Sequence, residues 1–126
     1  MTGYIDNIEK QTLENENFRK VLFTGPNSQL VVMTLQPKEE IGMETHDDID
    51  QFIRIEKGQG KAILNSEETE VKDDFAIVIP AGTEHNIINT SETEKMKLYT
   101  VYSPAEHPEG TIHKTKAEAD AAEHEH

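Results

Sequence analysis

The sequence predicts an all-β fold, a sandwich or barrel of short strands in a single domain. Three observations predict it. Apolar runs rich in β-branched residues recur along the chain. Clusters of Gly, Pro, Asn, Asp and Ser separate them at intervals of about ten residues, the rhythm of a sandwich or barrel. A chain of 126 residues also suits one domain with one core.

Each element follows from its residues. Residues 4–16 are polar, with Ile5, Ile8 and Leu13 scattered among them, and read as an N-terminal arm able to add an edge strand. Residues 18–23 read as a first strand, and Gly25-Pro26-Asn27-Ser28 as a turn. Residues 30–35 form a strand apolar enough to be buried on both faces, stopped by Pro37. Residues 52–55 and 61–64 read as a hairpin turning at Gly58-Gln59-Gly60. Turns at 65–68 and 73–74 flank a short strand at 69–71. Residues 77–79 are a buried strand that Pro80 ends, because proline has no N–H for a ladder. Gly82 allows the turn that follows, and His85, Ile87 and Asn89 then share one face of the next strand. After a turn at 91–94, residues 96–102 alternate Met96, Leu98, Thr100 and Tyr102 against Lys97, Tyr99 and Val101. Beyond Pro104 comes a loop holding His107. A capping box, Thr115-x-x-Glu118, then opens a short helix rich in Ala and Glu. His124-Glu125-His126 offers weak metal ligands but reads as a disordered tail. The chain therefore divides into an arm and edge strand (1–24), a barrel (25–104) and a C-terminal loop, helix and tail (105–126).

Composition excludes several functions. With no cysteine there are no disulfides and no thiolate metal sites. A formal net charge of −13 disfavours nucleic acid and anionic membranes as partners. No apolar run approaches the ~20 residues of a membrane span. Met1-Thr2-Gly3-Tyr4 shows no signal-peptide pattern, so a cytoplasmic protein is expected.

The chemistry concentrates in two places. Glu44 and His46 stand at i and i+2, so on a strand they share a face ~6.6 Å apart and can reach one ion. Gln51 shares its face with Ile53 and Ile55, and an inward amide needs a partner. His85 stands at the start of a strand, pointing with apolar residues. The plainer alternatives are a solvated acidic loop (Glu44, Asp47, Asp48, Asp50) and a hydrogen-bonded core histidine.

The pattern Pro80-x-Gly82-x-x-His85-x-x-x-Asn89 resembles the second conserved motif of the cupin superfamily. The first motif, G-x5-H-x-H-x(3–4)-E-x6-G, fits by spacing. Lys38 takes the first Gly position, Glu44 the first His, His46 the second His, Gln51 the Glu and Gly58 the closing Gly. Asp74 stands where the second motif usually begins with Gly. The resemblance implies a double-stranded β-helix, or jelly-roll barrel, of the single-motif type. It also implies one divalent metal ion (Zn, Mn, Fe or Ni) on Glu44, His46, Gln51 and His85.

Within cupins the chain resembles small single-domain proteins of the mannose-6-phosphate-isomerase-like type. Type I phosphomannose isomerases have a zinc site reading Gln-x-His, Glu, His; here Gln and Glu are exchanged. That resemblance implies a metal-dependent, isomerase-like enzyme acting on a sugar phosphate or other small carbonyl compound. Arg19, Arg54 and Lys61 are candidates for holding a phosphate by charge alone. The alternatives are a non-catalytic module that binds a metal or small molecule, and a non-haem oxygenase using His46, His85 and Glu44. No general base is singled out, and His107 and His113 have no assigned role. A homodimer is expected through the N-terminal arm and residues 18–23.

Overall fold

The computed structural model describes residues 2–124. Glu125 and His126 of the C-terminal histidine tail lie outside the described residues. Two antiparallel sheets face each other, and the elements run α1 (Ile8–Glu14), β1 (Arg19–Thr24), β2 (Gln29–Leu35), β3 (Asp50–Lys57), β4 (Gln59–Leu64), β5 (Glu67–Lys72), β6 (Ala76–Ile79), β7 (His85–Asn89), β8 (Met96–Ser103), β9 (Ile112–His113) and α2 (Lys116–His124). The larger sheet has the order β6-β3-β8-β2-β1-β9, and the smaller β5-β4-β7. This is the expected jelly-roll architecture.

Register fixes what faces the interior. Ile53, Thr100, Val31 and Val21 form one row across β3, β8, β2 and β1, and Ile55, Leu98 and Met33 form the next. These residues are buried, most of them fully. The row nearest the end that holds the histidines is polar: Gln51, Tyr102 and Gln29. An apolar floor with a polar upper row is the usual construction of a ligand cavity.

Three elements differ from the expectation. Residues 8–14 form a helix rather than an irregular arm or strand. Asn7 caps it, its side-chain oxygen accepting from the Lys10 N–H at 3.1 Å, while Thr12 is buried. β1 is not an edge strand, because β9 pairs with Arg19 and Lys20 on its outer side. Residues 58–60 do not turn a hairpin: β3 belongs to one sheet and β4 to the other. Gly58, at φ +124°, carries the chain across between the sheets, where a side chain would press on the Met96 backbone at 3.0 Å. The true two-residue hairpin is β4–β5, where Asn65 and Ser66 both take positive φ, as a type I′ turn requires.

The C-terminal helix forms as the capping box predicts. Thr115 Oγ1 accepts from Glu118 N at 3.1 Å, and Glu118 Oε2 accepts from Thr115 N at 3.2 Å. Among the described residues no helix is long and apolar enough to cross a membrane.

Candidate metal centre

Residues 39–46 bring the two halves of the site together. This segment runs antiparallel to β7: Glu39 O accepts from Asn89 N, Ile87 O from Ile41 N, and His46 O from Gly82 N. Glu44 and His85 exchange both backbone hydrogen bonds, at 2.9 and 2.8 Å, so they are directly opposite and their side chains share the inner face. His46, two residues on, lies on that face as well.

Asparagines hold the segment in place. Asn86 Oδ1 accepts from Gly42 N at 2.8 Å while its Nδ2 donates to Glu40 at 3.1 Å. Asn89 is fully buried and its Nδ2 donates to the carbonyls of Leu35, Gln36 and Glu94. The motif Asn is therefore a clamp on the turns around the site and not a ligand. At the turn before His85, Thr83 N donates to Pro80 O at 3.2 Å and Gly82 takes φ +85°, as the third residue of a type II turn must. Lys38 and Asp74, the two positions where the motifs usually have Gly, both take positive φ, at 66° and 72°. Both residues thus hold a left-handed conformation that glycine adopts most readily.

Glu44, His46 and His85 each place one ligand atom within 4.8 Å of the others. The His46 and His85 ring centroids are 5.4 Å apart, and His46 Nε2 lies 3.9 Å from Glu44 Oε1. Two ligands sharing an ion at ~2.0–2.2 Å stand up to about 4.4 Å apart, so only a small closure separates this arrangement from coordination.

The histidine tautomers are set by their partners. His85 Nδ1 is 2.9 Å from the Thr83 carbonyl, which can only accept, so Nδ1 carries the proton and Nε2 a bare lone pair. His46 Nδ1 is 3.2 Å from Glu106 Oε2, which fixes the same tautomer. Both Nε2 atoms are buried and have no hydrogen-bond partner. Gln51 Nε2 donates to Thr100 Oγ1 at 3.0 Å, and its Oε1 is likewise buried and unpartnered. Burial holds the His85 pKa below the ordinary imidazole value, opposed by the Thr83 hydrogen bond and aided by nearby His46. A neutral imidazole is the form that binds metal.

Buried acceptors without partners are rare, and each costs ~1–3 kcal/mol. Here the two Nε2 atoms converge beside a carboxylate, with the Gln51 Oε1 a third unpartnered acceptor in the same interior, and a divalent cation suits such groups. The residues present thus fit a metal ion.

Two nearby groups were not legible in the sequence. Glu106 reaches His46 from the C-terminal loop, about sixty residues away, and no local signal marks it. Its removal is expected to lower metal affinity by ~10–100-fold through loss of His46 orientation. Glu106→Ala, titrated with Zn or Mn by calorimetry, measures this. His107 lies 5.2 Å centroid to centroid from Tyr102, whose ring is in turn 6.1 Å from His46.

Burial, and then the neighbouring Arg19, His113 and His46, push the His107 pKa down to about 3. Because the folded pKa is depressed, the unfolded chain binds the extra proton between pH ~6.5 and ~3. Stability from this group is therefore present above pH ~6.5 and lost as pH falls through that window. A loss of about 2 kcal/mol is expected between pH 7 and 5 in metal-free protein, and a flatter profile in His107→Gln. Urea unfolding at several pH values tests both.

The cations proposed from charge alone are mostly committed elsewhere. Arg54 pairs with Glu56 and Asp74, and Lys61 with Glu68. Both point away from the interior, since their strand neighbours Ile53, Ile55 and Ala62 are the buried ones.

An antiparallel sandwich of this topology, with two histidines and a carboxylate at one end, defines a class, and comparison with known proteins agrees. Residues 31–102 match the cupin domain model, and the chain belongs to the cupin family. Over 95% of its length it is 48% identical to the uncharacterised protein YrkC of Bacillus subtilis, covering 67% of that protein. It is 50% identical to the uncharacterised protein L612 of Acanthamoeba polyphaga mimivirus, over 86% of this chain and 70% of that one. The crystal structure of BH2720 from Bacillus halodurans superposes with a TM-score of 0.91 at 44% identity, covering 94% of this chain and 93% of the other.

Proposed function

We propose that the chain binds one divalent metal ion through Glu44, His46 and His85, with the Gln51 carbonyl turned to the same interior, and that it is a metal-dependent enzyme of the isomerase-like type. Its substrate class is a sugar phosphate or other small carbonyl compound. The observation that carries this reading is the convergence of unpartnered, buried Nε2 atoms beside a carboxylate. When bound, the ion supplies Lewis acidity toward a substrate oxygen. Glu106 and the Thr83 carbonyl hold the two imidazoles in the ligating tautomer. The apolar floor of Ile53, Val31 and Ile87 keeps water from the side of the site away from the mouth.

Gln51 sets the charge of the site. With Glu44 as the one carboxylate among these four residues, a divalent ion keeps a net charge of +1. Gln51→Glu adds a second carboxylate and is expected to tighten binding of Zn, Mn, Ni or Fe(II), read as a larger metal-induced rise in melting temperature. Unchanged or weaker binding would place Gln51 behind a ligand rather than on the ion.

A second reading is favoured by the ligand types themselves. Two histidines and a carboxylate are also the set of non-haem iron oxygenases. Metal-dependent isomerisation of sugar phosphates in the absence of oxygen supports the first reading. Fe(II)-dependent oxygen consumption supports the second. A bound ion with neither activity makes the protein a non-catalytic binder.

A further inference from the structure

Arg19 opens β1 and faces the interior, paired across the sheet with the fully buried Met33. It is 2% exposed. Its Nη1 lies 3.3 Å from His113 Nδ1, and because a guanidinium only donates, that nitrogen must accept. Its Cζ lies 5.3 Å from the centroid of the Phe18 ring. Its Nε is buried and has no partner, and among the described residues Arg19 forms no ion pair with a carboxylate.

The fold treats its other buried cation differently. Lys97 Nζ donates to the Asn15 carbonyl, lies 3.1 Å from Glu16 Oε1 and reaches Thr34 Oγ1 at 3.3 Å. Arg19 has a neutral imidazole and an aromatic face where Lys97 has a carboxylate. A guanidinium cannot shed its charge, and a buried charge without a counter-ion is strongly destabilising. A chain carrying −13 net charge has no shortage of carboxylates, yet none of the described ones forms an ion pair with Arg19.

We propose that Arg19 is the base of a binding site for a small oxyanion, a carboxylate or a phosphate, under the C-terminal segment. Nε is the unpartnered donor, and with the adjacent Nη2 it makes the edge of a guanidinium that meets two oxygens side by side. His113 orients the fork from the opposite edge. The cover is thin: β9 is two residues long, and the loop before it is held by Gln29, which binds the backbone of Glu106 and His107. The His107 ring, 5.2 Å from that of Tyr102, feels the charge of this guanidinium.

The test is thermal unfolding in EDTA, so that it is independent of metal. Wild type, Arg19→Met and Arg19→Lys are compared in sodium phosphate, sodium acetate and sodium chloride at matched ionic strength. Wild type is expected to melt about 3–5 °C higher at ten times the dissociation constant of phosphate or acetate. The arm that responds identifies the oxyanion. Arg19→Met, relieved of its unpaired charge, is expected to melt above wild type in chloride and to respond to neither anion. Arg19→Lys keeps the charge without the fork and is expected to bind about tenfold more weakly. Should Arg19→Met not fold, the wild-type and Arg19→Lys responses decide. No response of wild type to either anion overturns the proposal. So does an equal response in a variant, or an Arg19→Met protein that folds but melts below wild type in chloride, which would make Arg19 a structural partner of Phe18.

Discussion

His85→Ala is expected to remove the metal-induced rise in melting temperature while leaving the metal-free protein close to wild type. The asymmetry follows from the environment of the ring. Without metal, His85 contributes packing but also buries an unpartnered Nε2, and the two effects oppose each other. With metal, the same nitrogen is a ligand, and its loss lowers affinity by at least ~10²-fold, beyond what loss of an outer-shell partner costs. At saturating metal that corresponds to about 2.7 kcal/mol of lost stabilisation. A histidine serving only the core would give the opposite result, equal destabilisation with and without metal.

Gly60→Ala is expected to cost about 3–5 kcal/mol or to prevent folding, with or without metal. A Cβ on Gly60 would stand 2.1 Å from the Ile88 carbonyl oxygen and 2.5 Å from Met96 Cε. The side chain of Met96 can yield, but the carbonyl belongs to β7, which pairs with β4 and begins at His85. Moving it would displace the strand that carries a ligand. Gly82→Ala is the control. Gly82 has φ +85° but open space around it, so the cost is only the ~1 kcal/mol of a left-handed residue. Urea midpoints of the two variants separate collision from backbone strain.

Much of this architecture is legible from residue order alone. The alternation of Met96, Leu98, Thr100 and Tyr102 predicts the inner face of β8, and that of Gln51, Ile53 and Ile55 the inner face of β3. The i, i+2 spacing of Glu44 and His46, and the turn before His85, predict residues that the fold brings together. What the sequence does not disclose depends on which sheet a strand joins. Gly58-Gln59-Gly60 has the composition of a hairpin turn, and only packing against Met96 reveals it as a crossing between sheets. Helix α1 is similarly obscure, since its buried position is a threonine rather than an apolar stripe. The environment of Arg19 has no local signature, because a strand pattern does not say whether a charged residue at an inward position meets a counter-ion.

The central claim is that Glu44, His46 and His85 form a working metal site. Elemental analysis of protein purified without an affinity tag tests it most directly. The geometry predicts about one equivalent of a divalent transition metal per chain, removable by chelation and absent from His85→Ala. Trace metal only, together with no change in melting temperature on adding Zn, Mn, Ni or Fe(II), would contradict it. The buried Nε2 atoms would then be unpaired without serving a ligand.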